Sequence, residues 1–255
     1  MAQKEDAFNM HIRSLESHKW DYFVFSQWWP QSQCYYRNGQ TMDDKWRFTS
    51  GNARNDCVPA DVTTWTLHGL WPTVGGKAEP VNCNSSWPFV ESEIQDLEDR
   101  MMQRWLAFPD SSKSSARDLW SHEWKKHGTC ATDLAETSNE HSYFSMALAL
   151  NSNCGLLRAL ASENIIPSDD QMYTVKQVER AISNKYGAKG RVICLRGPAR
   201  DKQLSDEPKL CHVMLLLKRR VNLRLASATE DEAPRDSAKQ AWAEADERNT
   251  MFSIY

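Results

Sequence analysis

Nowhere does the chain run apolar for the roughly 18 residues a membrane-crossing helix needs, so no membrane span is expected. It also lacks an excess of charge of either sign: 31 Lys and Arg stand against 34 Asp and Glu, a net of −3. That balance excludes a protein that holds nucleic acid by bulk electrostatics, although it leaves room for a local anion site. No C-x-x-C pair occurs, which argues against zinc ribbons and thioredoxin-type redox sites. No H-E-x-x-H pattern occurs either. Residues 1–19 are polar and charged and contain no apolar h-region, so no secretory signal is read there. No internal repeat and no second domain are evident.

What the chain has is enough apolar matter for one substantial core, 40% hydrophobic over 255 residues. Tryptophan is abundant, eleven in all, and every one but Trp242 lies between Trp20 and Trp124. Most are expected to pack the core, although tryptophan also makes stacking platforms for bases. Seven cysteines, Cys34, Cys57, Cys83, Cys130, Cys154, Cys194 and Cys211, suit three disulfides and one odd thiol; spacing alone leaves their pairing open. Disulfides imply an oxidising compartment. With no signal at the N-terminus, the chain is expected to be either a mature or incomplete form of a secreted or vesicular protein, or a cytosolic one with reduced thiols. Asn84-Ser85-Ser86 is the single N-x-S/T glycosylation pattern and points weakly to secretion.

Three segments are expected. Residues 1–19 form a polar lead-in, 20–217 the folded domain, and 218–255 a charge-dense tail that buries too little to order itself firmly. Within the domain, strands are predicted over 21–29, 64–71, 191–195 and 210–217, the last central and buried on both faces. Residues 31–60 read as a long loop closed by a Cys34–Cys57 bridge. Helices are predicted over 89–107, 118–128, 140–162 and 175–186, the last ended by Gly187, with a serine-rich loop from Pro109 to Arg117.

The chemistry concentrates in His122-Glu-Trp-Lys-Lys-His-Gly-Thr-Cys130. At about 100° per residue, His122, Glu123, Lys126 and His127 share an arc of about 140°. Trp124 points elsewhere and can anchor the core, and Gly128 is a candidate helix stop. Such a cluster on a helix is ordinarily a solvated face. A metal site is disfavoured because His122 and His127 are five apart rather than four. A second stretch changes the balance: Thr64-Trp-Thr-Leu-His-Gly-Leu-Trp-Pro72 is strand-like, with His68 on the face opposite Trp65 and Leu67. Gly69 beside it admits a close neighbour.

Taken together, Trp65–Pro72 and His122–Cys130 resemble the two active-site segments of the ribonuclease T2 family. The flanks Gln27-Trp-Trp-Pro30, Cys83-Asn-Ser-Ser-Trp-Pro-Phe89 and Tyr143-Phe144 extend the resemblance over residues 20–217. It implies an α+β fold, mainly antiparallel sheet with packed helices, and a cleft between strand and helix. It implies a metal-independent endoribonuclease that cleaves single-stranded RNA through a 2′,3′-cyclic phosphate, with low base specificity and an acid optimum. By residue, it implies His127 as general base, His68 as general acid, and His122 as phosphate ligand. Glu123 and Lys126 would orient the site and stabilise the phosphorane, Trp71 would stack the first base, and Gln27 would serve the second base subsite. Two positions depart from the family pattern: Thr73 stands where an acidic residue is common, and Leu119 where an aromatic is common. The resemblance also implies Cys83–Cys130, Cys34–Cys57 and Cys194–Cys211 bridges and a secreted or lysosomal/vacuolar location. Cys154, which has no family counterpart, is expected to be a buried free thiol, Asn84 is the expected glycosylation site, and a monomer without cofactor is expected.

The chemistry stands on its own footing. Metal-free cleavage uses the ribose 2′-hydroxyl as nucleophile and needs one group to take its proton and another to protonate the departing 5′-oxygen. Two imidazoles suit this, because their ordinary pKa near about 6.5 allows one neutral and one charged ring. Two competitors are a secreted RNA-binding, signalling or defence protein in which cleavage is secondary, and a zinc protein using His68, His122, His127 and Cys130. His11, His18, His141 and His212 are expected to be structural or surface groups.

Overall fold

The computed structural model describes residues 20–37, 40–42, 48–50, 57–75, 80–188, 190–195, 209–218 and 251–254. The fold is α+β. Strand β1 (Tyr22–Trp28) is rich in aromatic residues and stops two residues before Pro30. That proline opens helix α1 (Pro30–Arg37), at the first helical position where its missing N–H costs nothing. A small hairpin follows, β2 (Gln40–Met42) with β3 (Phe48–Ser50). The stretch expected to be one long loop therefore carries a helix and two short strands, and the Cys34–Cys57 disulfide closes it.

Strand β4 (Thr66–Thr73) runs antiparallel to β1. The region expected as one helix over 89–107 divides into a 3₁₀ segment, Glu91–Leu97, and helix α2 (Glu98–Arg104), with non-helical angles at Ile94. Helix α3 (Lys113–Lys126) begins five residues earlier than its sequence pattern suggests. Ser112 caps it by accepting the Ser115 N–H, and Ser115 donates to Asp110 at 2.7 Å. Serines that look like loop composition are thus helix-start residues. Ala116, Leu119, Trp120, Glu123 and Trp124 form the buried stripe of α3.

Helix α4 (Glu140–Cys154) and helix α5 (Leu156–Ala161) replace a single expected helix. Gly155 separates them in the left-handed region, φ 59°, which a Cβ would oppose. Strand β5 (Ser168–Thr174) leads into helix α6 (Val175–Tyr186), started by a Thr174/Gln177 capping box and ended at Gly187 as its sequence predicts. Strands β6 (Gly190–Leu195) and β7 (Lys209–Lys218) are antiparallel neighbours.

The main sheet runs β4-β1-β7-β8-β5, with β6 also on β7. Strand β7 is central, as expected, but only one of its faces is fully buried (Val213, Leu215, Leu217); Met214 and Leu216 on the other are half-buried. The charged tail supplies strand β8 (Met251–Ile254), antiparallel to β5, where no ordered strand was expected. Residues 1–19 and 219–250 lie outside the described residues. Among the described residues no helix is long and apolar enough to cross a membrane.

The tryptophans explain how β4 is held. It is the last strand of the sheet order, and its outer carbonyls are met by side-chain donors. Trp105 Nε1–H donates to the His68 carbonyl at 2.9 Å, and the Tyr143 hydroxyl donates to the Leu70 carbonyl at 2.9 Å. Trp120 Nε1–H in turn donates to the Trp105 carbonyl at 2.8 Å. Helices α3 and α4 are therefore tied to the strand on both sides of Gly69.

Candidate active site

His68 owes its placement to a bulge. Ser26 pairs with Gly69 and Gln27 with Leu67, so His68 is the extra residue on β4. Bulges of this kind re-aim a side chain. The imidazole lies flat on Trp28, ring centroids 4.4 Å apart and planes 11° from parallel. Trp71, further along β4, meets the His68 ring edge-on at 4.9 Å. The same indole packs against His127 at 5.3 Å. Trp71 thus touches both imidazoles to which opposite proton-transfer roles were assigned.

His127 follows α3 directly and continues its buried stripe, four residues beyond Glu123. Both are nearly inaccessible, Glu123 at 1% and His127 at 2% exposure. The cluster is therefore not a solvated face: its arc is turned inward. His122, half-buried one turn earlier, has its ring 6.5 Å from that of His127. Burial, helped by the Lys126 ammonium, lowers His122 to about 4. Burial, Lys126 and His122 together lower His127 to about 2. His127 stays neutral through mild acid, and His122 down to about pH 4. The Nδ1 of His127 is buried and has no hydrogen-bond partner among the described residues.

Glu123 accepts the Trp71 Nε1–H at 2.8 Å. Gly69 makes this possible, since a Cβ there would collide with both Glu123 Oε2 and Trp71 Nε1. The close neighbour that Gly69 admits is this side-chain pair. Gly128 likewise is needed for space: a Cβ would strike the Trp124 ring. It starts a 3₁₀ turn, Gly128–Cys130, and does not adopt the left-handed angles expected of a helix-stop glycine.

Gln27, expected in a base subsite, lies elsewhere. It is 1% exposed, accepts from Asn151 Nδ2 at 2.9 Å, and donates to the Cys154 thiol at 3.6 Å. On β1 it alternates with Trp28 and pairs with Leu67, so it faces away from the ring that holds His68. Its amide is committed to the interior and offers no edge to a base. Trp71 is 9% exposed, with its Nε1–H engaged and its ring between two imidazoles, which leaves little face for stacking. Leu119 is buried in the core at 1%, and the Thr73 hydroxyl donates to the Trp71 carbonyl at 3.1 Å.

The Cys83–Cys130 disulfide joins the loop after β4 to the turn after His127. It also removes Cys130 as a thiolate ligand, which takes away one of the four groups of the zinc alternative. Cys154 is a buried thiol, as expected, with its Sγ 3.5 Å from the Tyr186 hydroxyl. For Cys194–Cys211, the two strands are antiparallel neighbours, but the Cys211 side chain lies outside the described residues. Asn84 sits half-buried in a turn and accepts from the Ser86 N–H at 3.0 Å. His141 is a surface group on Asp96, 3.0 Å away.

Sequence reasoning missed Trp28 as part of this site. The available signal was its place one residue beyond Gln27, on the opposite face of β1 from that amide. Without the register of β1 against β4, that signal could not be read.

Comparison with known proteins bears on this geometry. The model of the Ribonuclease T2 family matches residues 20–214. Ribonuclease Oy of Magallana gigas is 33% identical over 195 residues, covering 75% of this chain and 83% of that protein. Ribonuclease T2 of Danio rerio is 34% identical over 194 residues, covering 76% and 69%. Among solved structures, RNase NT in complex with 5′-AMP superposes with a TM-score of 0.59 at 31% identity, over 79% of this chain and 87% of that one.

Proposed function

The chain belongs to the ribonuclease T2 family, and from that premise we propose that it cleaves single-stranded RNA by internal transphosphorylation, releasing a 2′,3′-cyclic phosphate. Family membership makes it an endoribonuclease. The residue roles, the acid optimum and the low base specificity belong to the proposal.

The observation that carries this reading is Trp71 packed against both His68 and His127, over a buried Glu123. Two imidazoles share one wall, which is what a reaction needs when one proton is removed and another delivered across a single phosphate. His127 is the general base: buried and beside an ammonium, it stays neutral at acid pH and is free to take the 2′-hydroxyl proton. His68 is the general acid that protonates the departing 5′-oxygen. Lys126, whose charge is felt by both His122 and His127, stands where negative charge builds on the phosphate oxygens. His122 contacts the phosphate from the half-buried rim. Glu123 acts through Trp71.

The nucleophile is supplied by the substrate and both proton carriers by the protein, so turnover does not depend on an added metal. The product of the first step is the cyclic phosphate, and water opens it with the two histidines exchanging roles. The disulfides support a secreted or vacuolar/lysosomal setting, in which an acid-tolerant base is useful.

The deciding experiment is cleavage of long single-stranded RNA from pH 4 to 8 in EDTA, with wild type beside His68→Ala and His127→Ala. Cyclic-phosphate ends from wild type alone are the expected result. No cleavage by oxidised wild type would turn the reading toward a binding protein of the same fold.

A further inference from the structure

We propose that Trp28 is a positioning residue for His68, holding the imidazole by its face and favouring the protonated ring that delivers the proton. The proposal rests on the reading of His68 as general acid.

The contact is a parallel stack, 4.4 Å between centroids at 11°. Trp28 is itself 1% exposed, so it has no free face to offer a base; one side of the indole is occupied by His68. Phe108 meets the indole edge-on at 5.9 Å and 73°, which restrains it from tilting away. The His68 ring is closed from a second direction by the edge-on contact with Trp71 at 84°. Its backbone is pinned by the Trp105 Nε1–H on the His68 carbonyl. A bulge residue held at its face, its edge and its carbonyl has little freedom left. That restriction suits a proton donor that must meet one departing oxygen.

The stack also has a sign. The face of an indole carries negative electrostatic potential and attracts a cation lying over it. An imidazolium over Trp28 is therefore better stabilised than a neutral ring, the more so where water is excluded. Glu123 accepts the Trp71 Nε1–H, and His127 lies against the same indole. Lys126 and His122 act on His127. An acid and a base of the same residue type can in this way be set apart: His127 is kept neutral by burial beside an ammonium, while His68 is given a π-face that prefers the cation.

A purely structural role for this core tryptophan predicts equal losses on every substrate, so the test compares leaving groups. One substrate is a dinucleoside monophosphate, whose 5′-alkoxide must be protonated as it leaves. The other is the matching nucleoside 3′-(4-nitrophenyl) phosphate, whose phenolate departs without a proton. Wild type, His68→Ala, Trp28→Leu and Trp28→Phe are compared on both for kcat/KM against pH. His68→Ala should lose far more on the dinucleotide than on the aryl ester; an equal loss would remove the premise that His68 is the acid, independently of Trp28. With that premise standing, Trp28→Leu should lose about 10–100-fold on the dinucleotide, part of what an acid group contributes. It should lose little on the aryl ester, and its basic limb should move to lower pH. Trp28→Phe keeps an aromatic face and should show a smaller loss of the same selectivity; it decides the matter if the leucine variant does not fold. Equal losses on both substrates, or an unmoved basic limb, would overturn the proposal.

Discussion

The Trp71 indole donates to Glu123 Oε2 at 2.8 Å, across a gap that exists because residue 69 carries no side chain. This hydrogen bond links strand β4 to helix α3. It also satisfies a carboxylate with only 1% of its surface exposed.

Replacing Gly69 with alanine should therefore damage the site from within. The new methyl cannot coexist with both Glu123 Oε2 and Trp71 Nε1, and overpacking of this kind costs about 1–3 kcal/mol. The expected outcome is a lower Tm with a disproportionate fall in kcat, read by calorimetry and steady-state cleavage. An alanine variant with wild-type kcat would show that the Glu123–Trp71 contact is dispensable.

Trp71→Phe separates two roles. It keeps a ring for stacking but deletes the donor, taking one hydrogen bond from a buried carboxylate, at about 1–3 kcal/mol. Loss of stability and kcat with little change in KM is the outcome expected of a wall and donor. If Trp71 chiefly stacked a base, Trp71→Ala would weaken binding by about 1–3 kcal/mol, and Trp71→Phe would leave stability nearly intact.

Acid should destabilise the protein through its site. His127 and His122 titrate near 2 and 4 when folded, against 6.5 ordinarily. The unfolded chain thus binds protons more readily, and stability rises with pH across the window. It is fully present above about 6.5 and is lost as pH falls toward 4 and then toward 2. Urea midpoints from pH 7 to 4 should fall, and His127→Gln should flatten the dependence. The acid limb of kcat/KM should lie well below 6.5, since the base remains neutral there.

Glu140 should contribute with the opposite sign. Burial raises its carboxyl to about 7, with Glu93 adding and the Val90 N–H opposing. In the interval between 4.5 and 7 the folded chain holds the proton more tightly. Its stabilising effect is present at acid pH and is lost as pH rises through 7. Glu140→Gln should raise the Tm at pH 8 and change it little at pH 5.

Removing the Cys83–Cys130 bridge as the double serine variant should cost about 2–5 kcal/mol, the range for native disulfides in small domains. It joins residues 47 apart in sequence and holds the turn that follows His127. Activity should fall with temperature earlier than in wild type, measured as cleavage half-life across a temperature series.

Several features were legible in the chain because they depend on local chemistry. The strands β1, β4, β6 and β7 follow alternation and β-branching. Helix α6 follows its amphipathic period and stops at Gly187. The inward-facing groups of α3 follow from 3.6-residue spacing, although spacing did not say that this arc would be buried. Helix α1 and the early start of α3 were hidden because proline and serine read as loop residues until their capping positions are seen. Strand β8 was hidden by the charge around it.

The sequence by itself determined which groups are available for catalysis: His68 beside a glycine on a strand, and His122, Glu123, Lys126 and His127 within two turns of one helix. Only the tertiary structure decided what each group touches. The register of β1 against β4 placed Trp28 on His68 and turned Gln27 into the core. The approach of α3 to β4 at Gly69 turned Trp71 from an expected platform into the wall between two imidazoles. Spacing along a chain fixes the face a residue occupies, but contact depends on the offset between elements, and that offset is set by packing distant segments together.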